Sequence, residues 1–404
     1  MRYSVFAICL LIFIGSSCQE PSAPTIQVLP QSEVEEVVVG AERMDVLLPL
    51  LEDKKVGIIT NHTGLIKGKH LVDSLLSRSV DVVRIFAPEH GFRGDAANGE
   101  KIEDDRDPVT GLEVISLYGK NKKPSAEQLA GLDVLLFDIQ DVGARFYTYI
   151  STMQLAMESA SENDVKFIVL DRPNPNGHYV DGPVLDMEYQ SFVGIVPVPV
   201  VHGCTVGELA SMINGEQWME NGVSCELEVV PCLNYDHKTF YELPVAPSPN
   251  LPNMSSVYLY PSLCFFEATN VSVGRGTDLP FQRIGIPGGK IGADKFTPVN
   301  IPGVAKDPKH EGIECTGLNL SEYGDFFAKS EPRLHLKWFF MMHEQMGDDF
   351  LKYPKFLNKL SGTDAFAKAL KEGWNEEQLR ESWQKELKEY KECRKKYLLY
   401  PDFE

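Results

Sequence analysis

Five short runs, at residues 56–60, 80–86, 114–117, 134–137 and 167–170, are almost continuously apolar and rich in Val, Ile, Leu and Phe. A strand with one wet face alternates apolar and polar residues, so continuous runs mark strands buried on both faces. Between them lie stretches with helical spacing: residues 43–51, with Leu47, Leu48, Leu50 and Leu51, then 68–78, 125–129 and 150–163. Strands alternating with helices predict an α/β domain, a Rossmann-like doubly wound parallel sheet with helices on both faces. Its expected extent is residues 41–222, closing with a helix over 206–220.

The turn after the first run reads Thr60-Asn61-His62-Thr63-Gly64, not the glycine-rich fingerprint of a dinucleotide site, so no cofactor is expected. With 39 basic against 58 acidic side chains the net charge is −19, which disfavours nucleic acid as a partner because phosphate affinity comes from Lys and Arg. Beyond residue 222 the chain turns Pro-rich, with Pro247-Ser248-Pro249-Asn250-Leu251-Pro252 as an extended punctuation. Residues 378–396 alternate Glu and Lys around Trp383, Leu387 and Tyr390, the pattern of a solvated amphipathic helix.

The first eighteen residues read as an export signal: Arg2, an apolar run over 5–14, then Gly15-Ser16-Ser17-Cys18. The run is too short to cross a bilayer as a helix. Cys18 after small residues resembles a lipidation site, although Gly15 stands where Leu is usual, and ordinary signal cleavage is the plainer alternative. Residues 19–40 are expected to be a flexible tether, so membrane contact is expected only through the lipid anchor of an exported envelope lipoprotein. Six further cysteines, at 204, 225, 232, 264, 315 and 393, show no CxxC or Cys/His spacing, so no metal site is expected. Cys225 and Cys232 either bridge a local loop or serve as small buried hydrophobes.

In an open parallel sheet, ligands bind outside the carboxyl ends of the strands. Three such ends carry chemistry: Ala87-Pro88-Glu89-His90-Gly91-Phe92-Arg93; Asp138-Ile139-Gln140-Asp141-Val142-Gly143-Ala144-Arg145-Phe146-Tyr147-Thr148-Tyr149; and Asp171-Arg172-Pro173-Asn174. Each residue also has a plain structural reading: Asp138 and Asp171 can pair with Arg145 and Arg172, and His90 can be an ordinary hydrogen-bonding histidine. Acids, amides and aromatic planes beside glycines are also what a sugar pocket requires. Glu267 to Thr277, with Asn270 and Arg275, adds a further cluster of donors and acceptors.

In these strings, and in Pro247 to Pro252, the sequence resembles the exo-β-N-acetylmuramidase family of peptidoglycan hydrolases, long a family of unknown function. The matching segments keep the family's order from about Val56 to Thr277. The resemblance implies a Rossmann-like domain, a smaller α+β C-terminal domain over 223–404, and an active-site cleft between them. It implies release of N-acetylmuramic acid (MurNAc) from the non-reducing ends of MurNAc-GlcNAc glycans or muropeptides; with the export signal and Cys18, the expected location is the envelope of a Gram-negative bacterium, in the periplasm or at the outer membrane. Its catalytic glutamate matches Glu89, expected to act as general acid with a carboxyl pKa raised by Phe86, Pro88 and Phe92. For the second group Asp141, Asp171 and Glu267 are eligible, as is the substrate's own acetamido group. Glu267 ranks first because it comes from the other domain. MurNAc differs from GlcNAc by a lactyl carboxylate, for which Arg275, Arg145 and Arg93 are candidates, in that order. His90, Asn174 and Asn270 are candidate hydroxyl binders, Tyr147 and Tyr149 a stacking face, and Asp138, Gln140, Asp171 and Arg172 further substrate contacts. Two rival readings stand beside this: a non-catalytic glycan receptor, and a metal-dependent hydrolase built on Glu89, His90, Asp138 and Asp141. The latter is weaker because adjacent residues on a strand point apart.

Overall fold

A computed structural model describes residues 35–88, 91–93 and 105–404, and Val37–Glu404 forms one compact unit. Cys18, Glu89 and His90 lie outside the described residues. Packing begins earlier than the expected end of the tether: Val38 bridges to Leu233, and Val39 is buried.

Among the described residues seven strands form the central sheet: β1 (Lys55–Thr60), β2 (Asp81–Ala87), β3 (Asp105–Arg106), β4 (Glu113–Ser116), β5 (Val134–Asp138), β6 (Lys166–Leu170) and β7 (Leu227–Val230). Their order is β7-β6-β5-β1-β2-β4-β3, parallel except for the short antiparallel edge strand β3. The chain thus winds outward from β1 in one direction and from β5 in the other, and the switch point lies between them. There Thr60 is in register with Asp138.

Continuous burial has the expected cause, since alternate residues of one strand feed two cores. Ile59, Phe86, Leu135, Phe137, Phe167 and Val169 belong to one apolar cluster. Val56, Ile58, Ile85, Leu136, Ile168 and Leu170 belong to the other. Helices α1 (Met44–Leu51), α2 (Leu71–Leu76), α3 (Ala126–Leu129), α4 (Tyr149–Glu162) and α5 (Val206–Gly215) accompany the strands. Ser125 and Thr205 start α3 and α5 with capping boxes, each side chain accepting the N3 amide while the N3 side chain returns to the cap.

The last parallel strand, β7, lies beyond residue 222, where the composition had suggested the first domain would end. The C-terminal part then supplies α6 (Met254–Leu263), a three-stranded antiparallel sheet (Arg283–Pro287, Asp294–Phe296, Cys315–Asn319) and a run of helices. The expected helix over 378–396 is two, Glu376–Glu381 and Gln384–Arg394, broken where Trp383 turns its backbone out of the helical region and buries its indole. Among the described residues the cysteines are free thiols, Cys225 and Cys232 included, and no helix is long and apolar enough to cross a membrane.

Candidate active site

Most charged residues at the carboxyl edge of the sheet are committed to partners within the protein. Asp138 takes a two-pronged ion pair from Arg172, with Nε–Oδ1 at 2.6 Å and the second bond at 3.0 Å, both side chains fully buried. Asp171 accepts from the Gly207 amide (2.8 Å), the Thr205 hydroxyl (2.7 Å) and the Tyr400 hydroxyl (2.6 Å), while burial pushes its carboxyl up to about 6. It therefore anchors the start of α5 and the C-terminal tail. Arg145 is buried and gives its guanidinium to the carbonyls of Pro183 (2.8 Å), Val198 (2.7 Å) and Leu360 (3.0 Å).

Gln140 donates to Asp141 O (2.9 Å) and Pro173 O (2.7 Å). Asn174 donates to Cys204 O (2.8 Å) and accepts from the Asn176 amide (2.8 Å). Its amide packs so closely on Gly143, where φ is +76°, that a Cβ there would sit 2.1 Å from Asn174 Oδ1; only glycine fits that turn. Asp141 accepts from the Gly143 amide (2.6 Å), and burial pushes its carboxyl up to about 7. Arg93 forks onto Asp107 with two bonds of 2.9 Å, and Asn270 donates to Asp349 O (2.6 Å). Burial pushes the Cys204 thiol up to about 12.

What stays open is a cavity of about 570 Å³. Tyr118 and Lys122 reach it from the segment after β4, and Tyr147, Thr148 and Tyr149 from the segment leading into α4. Ser248, Asn250 and Leu251 close one wall, Tyr260 comes from α6, and Glu267, Arg275 and Phe281 follow that helix. Phe146, Phe192 and Phe356 add aromatic surface. Tyr147 is fixed by donating to Pro247 O at 2.7 Å and by edge contacts to Tyr149 and Tyr260. Strand β2, which leads to Glu89, ends beside this cavity: Ala87 O accepts the Leu117 amide at 2.8 Å, and Tyr118 is the next residue.

Glu267 sits on a single 3-10 turn, Cys264–Ala268. Its carboxylate accepts from Arg275 Nε at 2.9 Å, and the Arg275 guanidinium lies 4.9 Å from the Phe281 ring centroid. Lys309 braces the turn from behind, donating to the carbonyls of Phe266 (2.6 Å), Glu267 (3.1 Å) and Val271 (3.3 Å). Burial pushes the Glu267 carboxyl up, but the charges of Arg275 and Lys309 outweigh it and hold the pKa below the ordinary value. Glu267 is thus an ionised carboxylate facing a cavity of aromatic planes.

Of the residues singled out in the sequence, the cavity brings together Tyr147, Tyr149, Glu267 and Arg275. Asp138, Gln140, Asp141, Arg145, Asp171, Arg172 and Asn174 are buried in the hydrogen bonds above and do not line it, and Arg93 and Asn270 are bonded elsewhere. Reasoning from sequence missed Lys122, Tyr118, Phe192, Tyr260 and Phe281. Ser248 and Asn250 had a signal in the Pro247 to Pro252 string, whereas the others have none in a single chain.

A Rossmann-like sheet whose carboxyl edge opens on an aromatic cavity with an ionised carboxylate offers the apolar planes and convergent polar groups that a small-molecule enzyme site requires, sugars included. The exo-β-N-acetylmuramidase NamZ family matches the chain in two consecutive parts, its N-terminal domain over residues 56–255 and its C-terminal domain over 258–400. The chain belongs to this family and is a glycoside hydrolase. It is 38% identical to the peptidoglycan β-N-acetylmuramidase NamZ of Bacillus subtilis, an alignment spanning 99% of this chain and all of that protein (100%). Two solved structures of DUF1343 family proteins from Bacteroides fragilis share the fold. One is 45% identical with a TM-score of 0.83, covering 91% of this chain and 100% of the other. The second is 30% identical with a TM-score of 0.76, covering 90% and 99%.

Proposed function

We propose that this enzyme is an exo-acting muramidase that releases MurNAc from the non-reducing ends of peptidoglycan fragments during cell-wall turnover, with Glu89 as general acid. The observation that carries the reading is the ionised Glu267 in an aromatic cavity beside the end of the strand leading to Glu89. Glycoside hydrolysis needs two groups with opposite protonation: an acid to protonate the leaving oxygen and a charged group opposite it. Glu267 supplies the charged one, stabilising the oxocarbenium-like centre, activating water or orienting the acetamido group. Asp141 is less suited, because its carboxyl is buried and tied to the Gly143 amide. Residues 1–18 and Cys18 form the export and anchoring signal in this reading; recovery of the protein in the cytoplasm on cell fractionation would refute that part.

The test compares hydrolysis of chromogenic β-MurNAc and β-GlcNAc glycosides by the protein lacking residues 1–18 and by its Glu89→Gln variant. Selective MurNAc release by the parent, lost in the variant while sugar binding persists, is the expected result. MurNAc binding without turnover in the parent would favour a glycan receptor instead.

A further inference from the structure

Among the described residues, two cations line the cavity, Lys122 and Arg275. Arg275 already has its counter-charge, Glu267 at 2.9 Å, and packs on Phe281. Arg145 is buried and held by three carbonyls, Arg93 is paired with Asp107, and neither lines the cavity. Lys122 differs: among the described residues it has no carboxylate partner, and its Nζ lies 4.1 Å from the Phe192 ring centroid.

The chain around Lys122 is held as though to fix where this ammonium projects. Lys123 pairs with Glu162 at 2.7 Å and Glu158 at 3.5 Å. Ser159 Oγ donates to Pro124 O at 2.6 Å, and Ser125 caps α3. Adjacent lysines thus divide: one pins the loop to α4, the other stands half-buried over an aromatic face in the cavity. An ammonium on an aromatic face has lost part of its water shell, yet keeps donors for an anion. In a molecule of net charge −19, a local cation in the cavity favours entry of an anionic substrate group.

We infer that Lys122 is the specificity-determining cation of the cavity and receives the lactyl carboxylate that distinguishes MurNAc from GlcNAc. The inference rests on the muramidase reading above and displaces Arg275, Arg145 and Arg93 from that role. A charged hydrogen bond of this kind is worth about 10- to 100-fold in affinity.

The experiment uses the full mature chain, a chromogenic β-MurNAc glycoside, and the same glycoside with its lactyl group converted to the neutral N-methylamide. The two substrates differ at that group alone, so the change in the ratio of their kcat/KM values between parent and variant reports on what contacts the carboxylate. The parent is expected to favour the acid over the amide, and Lys122→Met to shrink that ratio by about 10-fold or more. Lys122→Arg, which keeps the charge, should retain most of it. Misfolding lowers both rates alike and leaves the ratio intact, so the ratio separates recognition from damage. A ratio unchanged in Lys122→Met overturns the assignment. If the parent hydrolyses neither compound, the muramidase reading fails by itself, and the same ratio read by calorimetric binding of the two methyl glycosides decides Lys122 separately.

Discussion

Replacing Arg275 by Met tests whether its task is to keep Glu267 ionised. The pair is 2.9 Å apart, and both side chains are about a quarter exposed, at 23% and 24%. An opposite charge at this range lowers a carboxyl pKa by roughly 1–3. Lys309 remains behind the turn in the variant, so part of the lowering persists while the carboxyl pKa rises. The sign follows from the balance at the site: burial pushes the carboxyl up, Arg275 and Lys309 pull it down, and removing Arg275 lets burial gain. If turnover needs the carboxylate, the acidic limb of kcat/KM moves upward with it. Near neutrality little activity is lost, whereas at a fixed pH on the acidic limb activity falls about 10-fold for every pH unit the limb has moved. The assay is the pH dependence of kcat/KM for a chromogenic β-MurNAc glycoside with the parent, Arg275→Met and Arg275→Lys, the last expected to move the limb less. An acidic limb that coincides in parent and Arg275→Met refutes the reasoning. Lost preference for MurNAc over GlcNAc with an unmoved limb would return Arg275 to the lactyl carboxylate.

Asp138→Asn leaves the buried Arg172 guanidinium without its counter-ion and should cost about 3–5 kcal/mol in urea unfolding; a loss below about 1 kcal/mol would contradict a structural role for this pair. Asp141→Asn should remove a pH-dependent strain. With the folded-state pKa raised to about 7, the native protein keeps a proton between pH ~4 and ~7 that the unfolded chain has released, so this group's contribution falls as pH rises through that window. Parent stability relative to Asp141→Asn, followed by urea midpoints, should therefore decline from pH ~4 to ~7 and level off above; a flat difference would show that the carboxyl is not so perturbed.

The sheet was legible in the sequence where both faces of a strand are buried, because Val56 to Thr60 or Phe167 to Leu170 then contain nothing but apolar and small residues. β7 was not, because it lies at the sheet edge and Glu228 faces solvent in the middle of it. The break at Trp383 was hidden for a related reason: a buried indole and a helical apolar stripe look alike in one dimension. For the site, the sequence located the carboxyl edge but not the use made of its charges. That use is set by partners remote in the chain, Tyr400 for Asp171 and the Leu360 carbonyl for Arg145.

Burial makes an unanswered charge costly, so most ions near the sheet edge are answered from within, and their presence there says little about substrate. Glu267 and Lys122 are informative because they face the cavity under different balances. Glu267 is kept charged by Arg275 from beside it and Lys309 from behind, which suits a group whose charge must survive until the transition state. Among the described residues Lys122 meets an aromatic face and no carboxylate, which suits a group whose counter-charge arrives with the ligand. The two sites therefore predict unequal responses to salt: Lys122 recognition, half-exposed, should weaken as ionic strength rises, while the internally paired Glu267 should respond far less.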